Sequence, residues 1–485
     1  MKGFILTSLV SLTFLPSSIA LNSCTSLSSR LPGKVLLPGA TTYNASVSSY
    51  FYVNQRQAPA CVFVPTTADD VAEAIKSINS HAPSQVALRS GGHSPNQGFS
   101  NIDSGVTIDL RGLNQIELHK SDTDIVSIGS GALWSDVSAV LDPLERAAVG
   151  SRVGSVGVGG FITGGGISFF SPRYGFSCDS VRNMQVVLAN GTIINANATS
   201  NPRLFRALKG GQNNFGVVTR FDVKTYPQPK FWGAAIEYPE SADAAQLSAF
   251  TSFKKGPYDP FSEIEQVFIY VGAQKTFIST NNMFYTKSGV NNSNLRLFTD
   301  IQPQIANTAR LSQATDFAAE ILEAQPKDQY ASWATFTFPI SGDVLTKVHS
   351  LWKKTASSLG SCHPNITAVL NFQSIPPPPA ASSPQNSLPF TPSSTPQNNL
   401  VLALTSFNWP RETESKAIES AARKLAESIE KVVGDSVKYK YLNYAGAWQD
   451  PIGGYGKKTR EELRQVAKLY DPDGFFQKFV HGFKL

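Results

Sequence analysis

Hydrophobic and polar residues alternate in short runs along the first half of the chain. The runs ACVFVP and SQVALRS are rich in β-branched and apolar residues and predict strands. Between them, TTADDVAEAIKSIN has apolar residues at helical spacing, with Thr66 or Thr67 as the expected N-cap. The next runs repeat the pattern of a strand followed by a turn and another secondary-structure element. The first half of the chain therefore has α/β character.

Longer alternating runs mark the second half. We expect strands at EIEQVFIYVGA, YASWATFTFPI, ITAVLNFQSI and LVLALTSFNW, and a helix at ESKAIESAARKLAESIEKVVG. Such strands predict an antiparallel sheet with helices on one face. Residues 376–399 are rich in Pro and Ser and predict a flexible surface excursion. Near the C-terminus, REELRQVAKLYDPDGFF predicts a helix that stops at Asp-Pro.

Composition limits the possible classes of protein. A chain of 485 residues predicts two or three structural units, and 41% hydrophobic with 16% charged residues is a globular balance. The formal charge of +6 is spread thinly, so we expect no nucleic-acid partner. After the N-terminal region, no apolar stretch approaches about 18 residues, so we expect no transmembrane helix.

The first twenty residues have the pattern of a secretory signal. Lys2 precedes an apolar stretch, and the small residues around Ala20 offer a cleavage site. A buried N-terminal segment or a membrane anchor is the alternative. We expect a secreted protein, and five Asn-x-Ser/Thr sequons agree with that: Asn44, Asn190, Asn197, Asn291 and Asn365.

Four cysteines remain after the predicted cleavage. Cys24 and Cys61 lie close together in sequence and are the favoured disulfide pair in an oxidising compartment. Cys178 follows a glycine-rich loop, where a buried free thiol is one option, and the bonding of both Cys178 and Cys362 stays open. No CxxC pair or zinc-type spacing occurs, so we expect no metal site.

Three glycine-rich segments suggest binding of an anion. They are RSGGHS, GSRVGSVGVGGFITGGG and KGGQNNFGVVTRFDV, and each follows a strand pattern. Without a Cβ, backbone N–H groups can converge on a diphosphate such as that of a dinucleotide, although tight turns alone are the alternative. Ile162 breaks a GxGxxG pattern and Lys458 breaks a P-loop pattern, so neither common nucleotide fingerprint is present.

These segments, together with IGSGALWSDV and RYGFSCDSV, resemble the FAD-binding domain of vanillyl-alcohol-oxidase-type enzymes. The tail from YLNYAGAWQDP to DPDGFF is similar to that of berberine-bridge-enzyme-like oxidases. The resemblance implies an α+β fold, in which a two-subdomain PCMH-type FAD domain precedes an antiparallel substrate domain covered by helices. We divide the chain into a signal peptide (1–20), the FAD domain (21–228, core 57–228), the substrate domain (229–438) and a C-terminal segment returning to the FAD domain (439–485).

The resemblance implies that His93 is joined to the 8α-methyl group of FAD. A neutral imidazole, with an ordinary pKa of about 6.5, is a competent nucleophile. The alternative is a histidine that only hydrogen-bonds within a turn. Val153 stands where many relatives carry a second attaching cysteine, so we expect attachment through His93 alone. The other cofactor-binding residues implied are Arg89, Ser90, Gly91, Gly92, Ser94, Val153, Gly154, Val156, Gly157, Gly159, Gly160, Gly164, Gly165, Gly216, Val217 and Val218.

The YLNY run supplies the candidate catalytic residues. By the resemblance Tyr444 is the base over the flavin, with Tyr441 and Asn443 beside it. Tyrosine ordinarily titrates near pH 10, so a base at pH 7 needs a cation or donors that the sequence does not identify. A tyrosine pair that packs a strand is the alternative. Gly446 stands where relatives often carry Asp, and the small Val156 agrees with access of O2 to the flavin.

For the substrate wall we select residues on the two strands beside the Pro-rich excursion: Phe372, Gln373, Phe407 and Trp409. Ordinary core packing is the alternative for the aromatic ones. Together with the signal sequence, the resemblance implies a secreted, monomeric FAD-dependent oxidase that takes a small organic substrate and reduces O2 to H2O2. A lactone-forming oligosaccharide oxidase and a flavin-retaining binding protein without turnover are the alternatives.

Overall fold

The computed structural model describes residues 18–80, 84–119, 122, 124–287, 293–383, 385–390, 399–435 and 437–485. Most of the predicted signal peptide and the sequon residue Asn291 lie outside these ranges. Three sheets organise the described chain. None of the helices in these ranges is both long and apolar enough to cross a membrane.

The first sheet is small and mixed. Its elements are α1 (Ser18–Arg30), β1 (Val35–Leu36), α2 (Thr41–Ser48), β2 (Cys61–Phe63), α3 (Ala68–Asn79), β3 (Val86–Arg89) and β4 (Val106–Asp109). The strand order is β1-β2-β4-β3, and both β2 and β3 run parallel to β4. Thr67 caps α3 in a capping box with Asp70, which selects between the two predicted N-caps. A disulfide between Cys24 and Cys61 joins α1 to β2, as predicted.

The second sheet is antiparallel and has the order β5-β6-β10-β8-β9, with β7 paired to β10. Its elements are β5 (Ile116–Leu118), β6 (Ile125–Gly129), α4 (Trp134–Leu141), β7 (Arg146–Ala148), α5 (Val158–Thr163), α6 (Ser171–Tyr174), β8 (Val181–Val187), β9 (Ile193–Asn197), α7 (Pro202–Gly211) and β10 (Val217–Pro227). Trp134, Phe176, Phe205 and Phe221 belong to its core, and Cys178 is a buried free thiol there, a state that the sequence left open.

The third sheet is the large antiparallel sheet predicted for the second half. Its order is β14-β11-β13-β12-β17-β18-β16, with β15 paired to β11. The elements are β11 (Phe231–Pro239), α8 (Asp243–Lys255), β12 (Ser262–Val271), β13 (Thr276–Tyr285), α9 (Ser293–Thr299), β14 (Ala306–Asn307), β15 (Arg310–Ser312), α10 (Ala314–Glu323), β16 (Tyr330–Pro339), α11 (Gly342–Cys362), β17 (Thr367–Ser374), β18 (Leu400–Trp409) and α12 (Ser415–Val433). Helices α8, α11 and α12 cover one face. The opposite face looks towards the two smaller sheets.

The C-terminal segment returns to the first two sheets. It contains α13 (Lys457–Tyr470) and α14 (Phe475–Lys478), and α13 ends just before Asp471 and Pro472 as the sequence predicts. Val86 of β3 bonds to the backbone of Phe479 and His481, which attaches the chain end to the edge of the first sheet. This return places the Tyr441–Tyr444 segment between the large sheet and the glycine-rich loops.

The Pro/Ser-rich excursion differs from the expectation of a purely surface segment. Leu388 and Phe390 are buried in the core of the second sheet. The backbone N–H of Ser387 donates to the carbonyl of Lys209, and the Asn386 amide donates to Asp179 at 2.8 Å. Two apolar side chains within the polar run therefore fix part of the excursion against the protein, because their burial removes apolar surface from water.

Candidate active site

A cavity of about 820 Å³ lies between the two smaller sheets and the uncovered face of the large sheet. The loops after β3 and before α5 form one wall, and the Tyr441–Tyr444 segment lies beside them. Strands β12, β13, β17 and β18 supply the floor. Ligand sites usually measure roughly 300–1,000 Å³, so this cavity has room for a large ligand.

Two glycine loops touch back to back at the cavity wall. A Cβ on Gly91 would lie 2.4 Å from the backbone nitrogen of Gly157, and a Cβ on Gly157 would lie 2.0 Å from that of Gly91. The Ser90 hydroxyl ties the loops together, since it donates to the Ser130 carbonyl at 2.7 Å and accepts from the Gly159 N–H at 3.1 Å. Only glycine permits this approach. The resulting backbone-lined cradle fits the diphosphate of a dinucleotide.

His93 lies in the cavity wall with its ring stacked on Phe51, at 4.2 Å between centroids, and edge-on to Tyr52 at 5.9 Å. Its Nε2 is buried and has no hydrogen-bond partner among the described residues. Burial lowers the pKa of His93 to about 4, so the ring is neutral at pH 7. An uncharged imidazole with an unused nitrogen fits covalent attachment to a cofactor.

Most of the other predicted cofactor residues also line the cavity. They are Gly92, Ser94, Val153, Val156, Gly160, Gly216, Val217 and Val218, together with Ser90, Gly91, Gly157 and Gly159 of the touching loops. The cavity wall is therefore built by all three glycine-rich segments. The three segments were predicted separately to bind one ligand, and the structure brings them together around one cavity.

Tyr444 lies beside a buried arginine that precedes Val153 in the glycine loop. The Nη2 of Arg152 donates to the Tyr444 hydroxyl oxygen at 3.2 Å and to the Gln373 Oε1 at 2.6 Å. The Gln373 Nε2 donates to the same Tyr444 oxygen at 3.4 Å. Trp333 of β16 packs edge-on against Tyr444 at 5.9 Å. Arg152 is thus the cation that the sequence could not identify.

Two glutamates of β12 compete for this cation. Arg152 pairs with Glu263 at 2.8 Å and with Glu265 at 2.9 Å, and all three side chains are at least nine-tenths buried. Burial raises the pKa of Glu263 to about 8 although Arg152 opposes the shift. Burial also raises the pKa of Tyr444 above its usual value, with Arg152 acting in the opposite direction. The Tyr444 hydroxyl is therefore un-ionised at neutral pH, and its role as a base stays a prediction.

Tyr441 and Asn443 support Tyr444 from the same segment. The Tyr441 oxygen accepts from the Gly166 N–H and from the Asn443 Nδ2, both at 3.1 Å. Asn443 also donates to the Phe161 carbonyl at 3.1 Å. The Tyr441 ring is edge-on to Tyr444 at 4.8 Å. These contacts fix the segment against the α5 loop and orient Tyr444.

Comparison with known proteins agrees with this geometry. The sequence profile of the FAD binding domain family, FAD_binding_4, matches residues 59–197. The FAD-dependent monooxygenase sdcF of Emericella nidulans is 32% identical over 469 residues, which cover 95% of this chain and 97% of that protein. The chain belongs to the FAD-linked oxidoreductases of the vanillyl-alcohol-oxidase superfamily. The FAD-dependent monooxygenase drtC of Aspergillus calidoustus is 33% identical and covers 95% of this chain and 89% of its own.

Solved structures share the fold of this FAD-linked oxidoreductase. The 6-hydroxy-D-nicotine oxidase of Arthrobacter nicotinovorans has a TM-score of 0.75 at 21% identity, over 92% of this chain and 96% of its own. The glucooligosaccharide oxidase of Acremonium strictum has a TM-score of 0.76 at 17% identity, over 96% and 99%. The α+β, PCMH-type architecture is confirmed. At these identities the likeness concerns the fold alone.

Four predicted cofactor residues of the oxidoreductase do not line the cavity. The buried Arg89 instead donates to the Ser46 carbonyl at 2.8 Å and pairs with Asp109 at 3.7 Å. Gly154 packs on Ser135 of α4. A Cβ on Gly164 would meet Asn443 at 2.0 Å, and Gly165 faces Tyr441. These four residues contact other parts of the protein and not the cavity, so they support the loops that line it.

The predicted substrate wall is wrong for three of its four residues. Phe372 and Phe407 belong to the core between the sheet and its helices, and Trp409 lies there too, donating to Ser415 at 2.9 Å. Successive strand residues face opposite sides, so their neighbours Asn371, Ser406 and Asn408 face the cavity instead. Gln373 lies on the cavity side of β17 but is fully buried behind the lining, where its amide contacts Tyr444. The prediction assigned the three aromatic side chains to the cavity face of the large sheet, whereas they lie on its helix-covered face.

Sequence reasoning missed Arg152, Glu263 and Glu265. One signal was available: β12 reads SEIEQVFIYV, and its two carboxylates share one face with Val267, Ile269 and Val271. Buried carboxylates need a cation partner, and such a pattern indicates one. Nothing in the sequence indicates that the partner is Arg152, which lies 111 residues away from Glu263.

Proposed function

We propose that the chain is a secreted FAD-dependent oxidase that binds FAD covalently through His93 and oxidises a small organic substrate beside Tyr444. The observation that carries the proposal is a cavity shared by Tyr444 and by His93, whose Nε2 has no hydrogen-bond partner among the described residues. The chemistry that bound FAD supplies is acceptance of two electrons from the substrate and their transfer to O2, which leaves as H2O2. The protein binds, orients and shields the reactants.

The chain's own residues divide this work. The cradle of Gly91 and Gly157 holds the diphosphate, and His93 holds the ring system. Val153 offers no thiol, which supports attachment through His93 alone. The Tyr444 Oη exchanges a proton or a hydrogen bond with the reacting group of the substrate. Arg152 and Gln373 fix the position of Tyr444 through hydrogen bonds to that oxygen.

The floor of the cavity supports a compact substrate with an apolar body, an alcohol or a compound with an activated C–H bond. Ile278, Ile269 and Val369 lie side by side on neighbouring strands and line the cavity. Polar side chains share the lining with this patch: Asn371 and Glu265 line the cavity, as do Thr280, Asn282 and Asn408. Hydroxyl groups of an oligosaccharide would gain no hydrogen bond from the aliphatic patch itself, which favours a substrate with one apolar face.

The names of the relatives favour a second candidate reaction. Proteins over 30% identical across most of this chain are named FAD-dependent monooxygenases. Insertion of one oxygen atom would need the same cavity and the same access of O2 past Val156, which lines it. The oxidase and monooxygenase reactions differ in the fate of the oxygen atoms of O2. An oxidase releases both in H2O2, whereas a monooxygenase transfers one of them to the product.

Two features support passage through the secretory pathway. The Cys24–Cys61 disulfide requires an oxidising compartment to form and persist. Three sequon asparagines are exposed: Asn44, Asn190 and Asn365. Asn197 is partly buried, and its Nδ2, the atom that would carry a glycan, donates to Asn183 at 3.0 Å. We expect glycans at the three exposed positions, and a mobility shift after endoglycosidase treatment of the secreted protein tests this.

Acid precipitation tests the His93 attachment. Wild-type protein should keep its yellow colour in the pellet, whereas His93→Ala should bind flavin that is released into the supernatant. Extractable flavin from the wild type would refute covalent attachment. Tyr444→Phe should keep the covalent flavin and lose most turnover, since only the hydroxyl is removed.

Anaerobic mixing of the holoenzyme with alcohols, phenols and sugars tests the reaction class. A substrate should bleach the flavin, and readmitted air should restore the colour with release of H2O2. Mass analysis of the product after reaction under ¹⁸O2 distinguishes oxygen insertion from peroxide formation. A colourless protein would overturn the proposed function.

A further inference from the structure

Tyr52 is a further tyrosine of the cavity wall, far in sequence from the YLNY run. Its side chain is 3% exposed and lines the cavity, and its ring is edge-on to Trp333 at 5.7 Å as well as to His93. No described residue forms a hydrogen bond with the Tyr52 hydroxyl, and burial alone raises the pKa of Tyr52 above its usual value. The hydroxyl therefore keeps its proton at neutral pH. A buried donor without a partner costs free energy, which indicates a ligand that accepts from it.

The Tyr52 segment is bonded to the edge of the large sheet. The Val53 N–H donates to the Gln329 carbonyl at 2.9 Å, and the Asn54 side chain bonds both backbone groups of Ala331 in β16, at 2.8 and 3.2 Å. Tyr52 and Ala331 also belong to one small apolar cluster. These contacts fix Tyr52 beside the first residues of β16.

Two polar side chains of β18 line the cavity at the same place. In the register of β16 and β18, Ser406 lies opposite Trp333 and Asn408 lies opposite Ala331. Both polar side chains line the cavity and are at least nine-tenths buried. The Asn408 Nδ2 donates to the Ser406 Oγ at 3.1 Å, whereas the buried Asn408 Oδ1 has no hydrogen-bond partner among the described residues. We call Tyr52, Trp333, Ser406 and Asn408 the β18 corner.

Trp333 connects the β18 corner to the Tyr444 end of the cavity. Its ring is 5.9 Å from the Tyr444 ring and 5.7 Å from the Tyr52 ring, and both contacts are edge-on. The aliphatic patch of the floor adjoins the corner, because Val369 lies opposite Ser406 in the register of β17 and β18. A ligand that lies on this patch therefore reaches polar groups of the corner that are separate from those around Tyr444.

The chemistry of the corner fits a neutral hydroxyl group. Tyr52 has a hydrogen to donate, and one end of the Asn408 amide needs a partner. A hydroxyl both accepts and donates, so it satisfies these two groups whichever way the amide is turned. A carboxylate would find no cation there. Arg152 is the one arginine or lysine among the described lining residues, and it pairs with the two glutamates of β12.

We propose that the β18 corner binds a second, non-reacting hydroxyl group of the substrate, and that the substrate is a neutral ring compound carrying this hydroxyl away from its reacting group. The inference rests on the proposed function, because it assigns a further subsite in the same cavity. The 8α end of a flavin ring system consists of carbon, so beside His93 the Tyr52 hydroxyl finds no acceptor on the cofactor. Tyr52, Ser406 and Asn408 thus select and position the substrate and take no part in the chemical step.

Three naphthalene amides test the proposal on the holoenzyme without turnover. 2-Naphthamide has no second group, 6-hydroxy-2-naphthamide carries a hydroxyl, and 6-carboxy-2-naphthamide carries a carboxylate. The change in flavin absorbance on titration reports binding. We expect the hydroxy compound to bind roughly 3- to 30-fold more tightly than 2-naphthamide, and the carboxy compound to bind more weakly than either. Equal affinity of the first two compounds, or no binding by both, would overturn the proposal.

Two variants locate the hydroxyl. Tyr52→Phe and Asn408→Leu should each reduce the preference for the hydroxy compound over 2-naphthamide about 3- to 10-fold, because one hydrogen bond is lost. A ratio of two affinities does not depend on the fraction of folded protein. Tyr238→Phe is the matched control, because that buried hydroxyl donates to the Phe298 carbonyl in the core on the helix-covered side of the sheet. An unchanged preference in both test variants would refute the assignment.

A crystal structure of the holoenzyme with 6-hydroxy-2-naphthamide gives an independent readout. The hydroxyl oxygen of the compound should lie within hydrogen-bond distance of the Tyr52 Oη and the Asn408 amide. A hydroxyl bound elsewhere in the cavity contradicts the proposed subsite. If the yellow protein releases H2O2 with a substrate but shows no preference for the hydroxy compound, this inference fails while the proposed function stands. A colourless protein removes the proposed function itself.

Discussion

Replacement of Arg152 by methionine isolates the buried charge that joins the glycine loop to the large sheet. Arg152, Glu263 and Glu265 have side chains only 4%, 2% and 8% exposed. Methionine keeps much of the aliphatic stem, so the main change is the loss of the cation. Removal of one partner from a buried ion pair typically costs about 3–5 kcal/mol, because the remaining charge lies unpaired in a medium of low polarity. We expect a loss of stability of that size at pH 7, where Glu263 is protonated and Glu265 is left without its cation.

Urea-induced unfolding, followed by tryptophan fluorescence, measures the loss. Arg152→Met with Glu265→Gln should recover most of it, because no unpaired carboxylate remains. The control Arg310→Met breaks a pair with Glu320 that is 36% and 25% exposed, and exposed pairs contribute at most about 1 kcal/mol. The reasoning is refuted if Arg152→Met costs no more than Arg310→Met, or if the double variant is no more stable than the single one.

Two further predictions concern the loops and the N-terminal part. Gly91→Ala should reduce flavin occupancy and cost roughly 1–3 kcal/mol, since its Cβ would lie 2.4 Å from a backbone nitrogen. Gly342→Ala, at the start of α11, is the control: its Cβ would meet only the Thr251 side chain at 3.5 Å, so flavin should bind normally in an absorbance assay. Loss of the disulfide in a Cys24→Ala, Cys61→Ala double variant should cost about 4 kcal/mol from loop-closure entropy, given the separation of 37 residues, and should lower the thermal midpoint; an unchanged midpoint would contradict this.

Local patterns were sufficient for much of the fold. The predicted strands around β12, β16, β17 and β18 and the helix α12 lie where alternation and helical spacing placed them. Glycine-rich segments indicated the cavity wall, because touching backbones exclude side chains at Gly91 and Gly157 whatever surrounds them. These features depend on near neighbours in sequence or on residue size.

The face of a strand that meets the cavity required the tertiary structure. Phe372 and Gln373 are adjacent and point to opposite sides, and the large sheet is covered on both, by helices and by the cavity walls. Alternation therefore identifies two faces without saying which one is the core.

The sequence by itself determined the element types, the favoured disulfide and the glycine cradle, because each follows from spacing, capping or the absence of a Cβ. Only the tertiary structure decided that Arg152 meets Glu263, Glu265, Gln373 and Tyr444. Those residues come from four distant parts of the chain, and the direction of a hydrogen bond or the charge state of a buried acid depends on which groups the fold brings within reach.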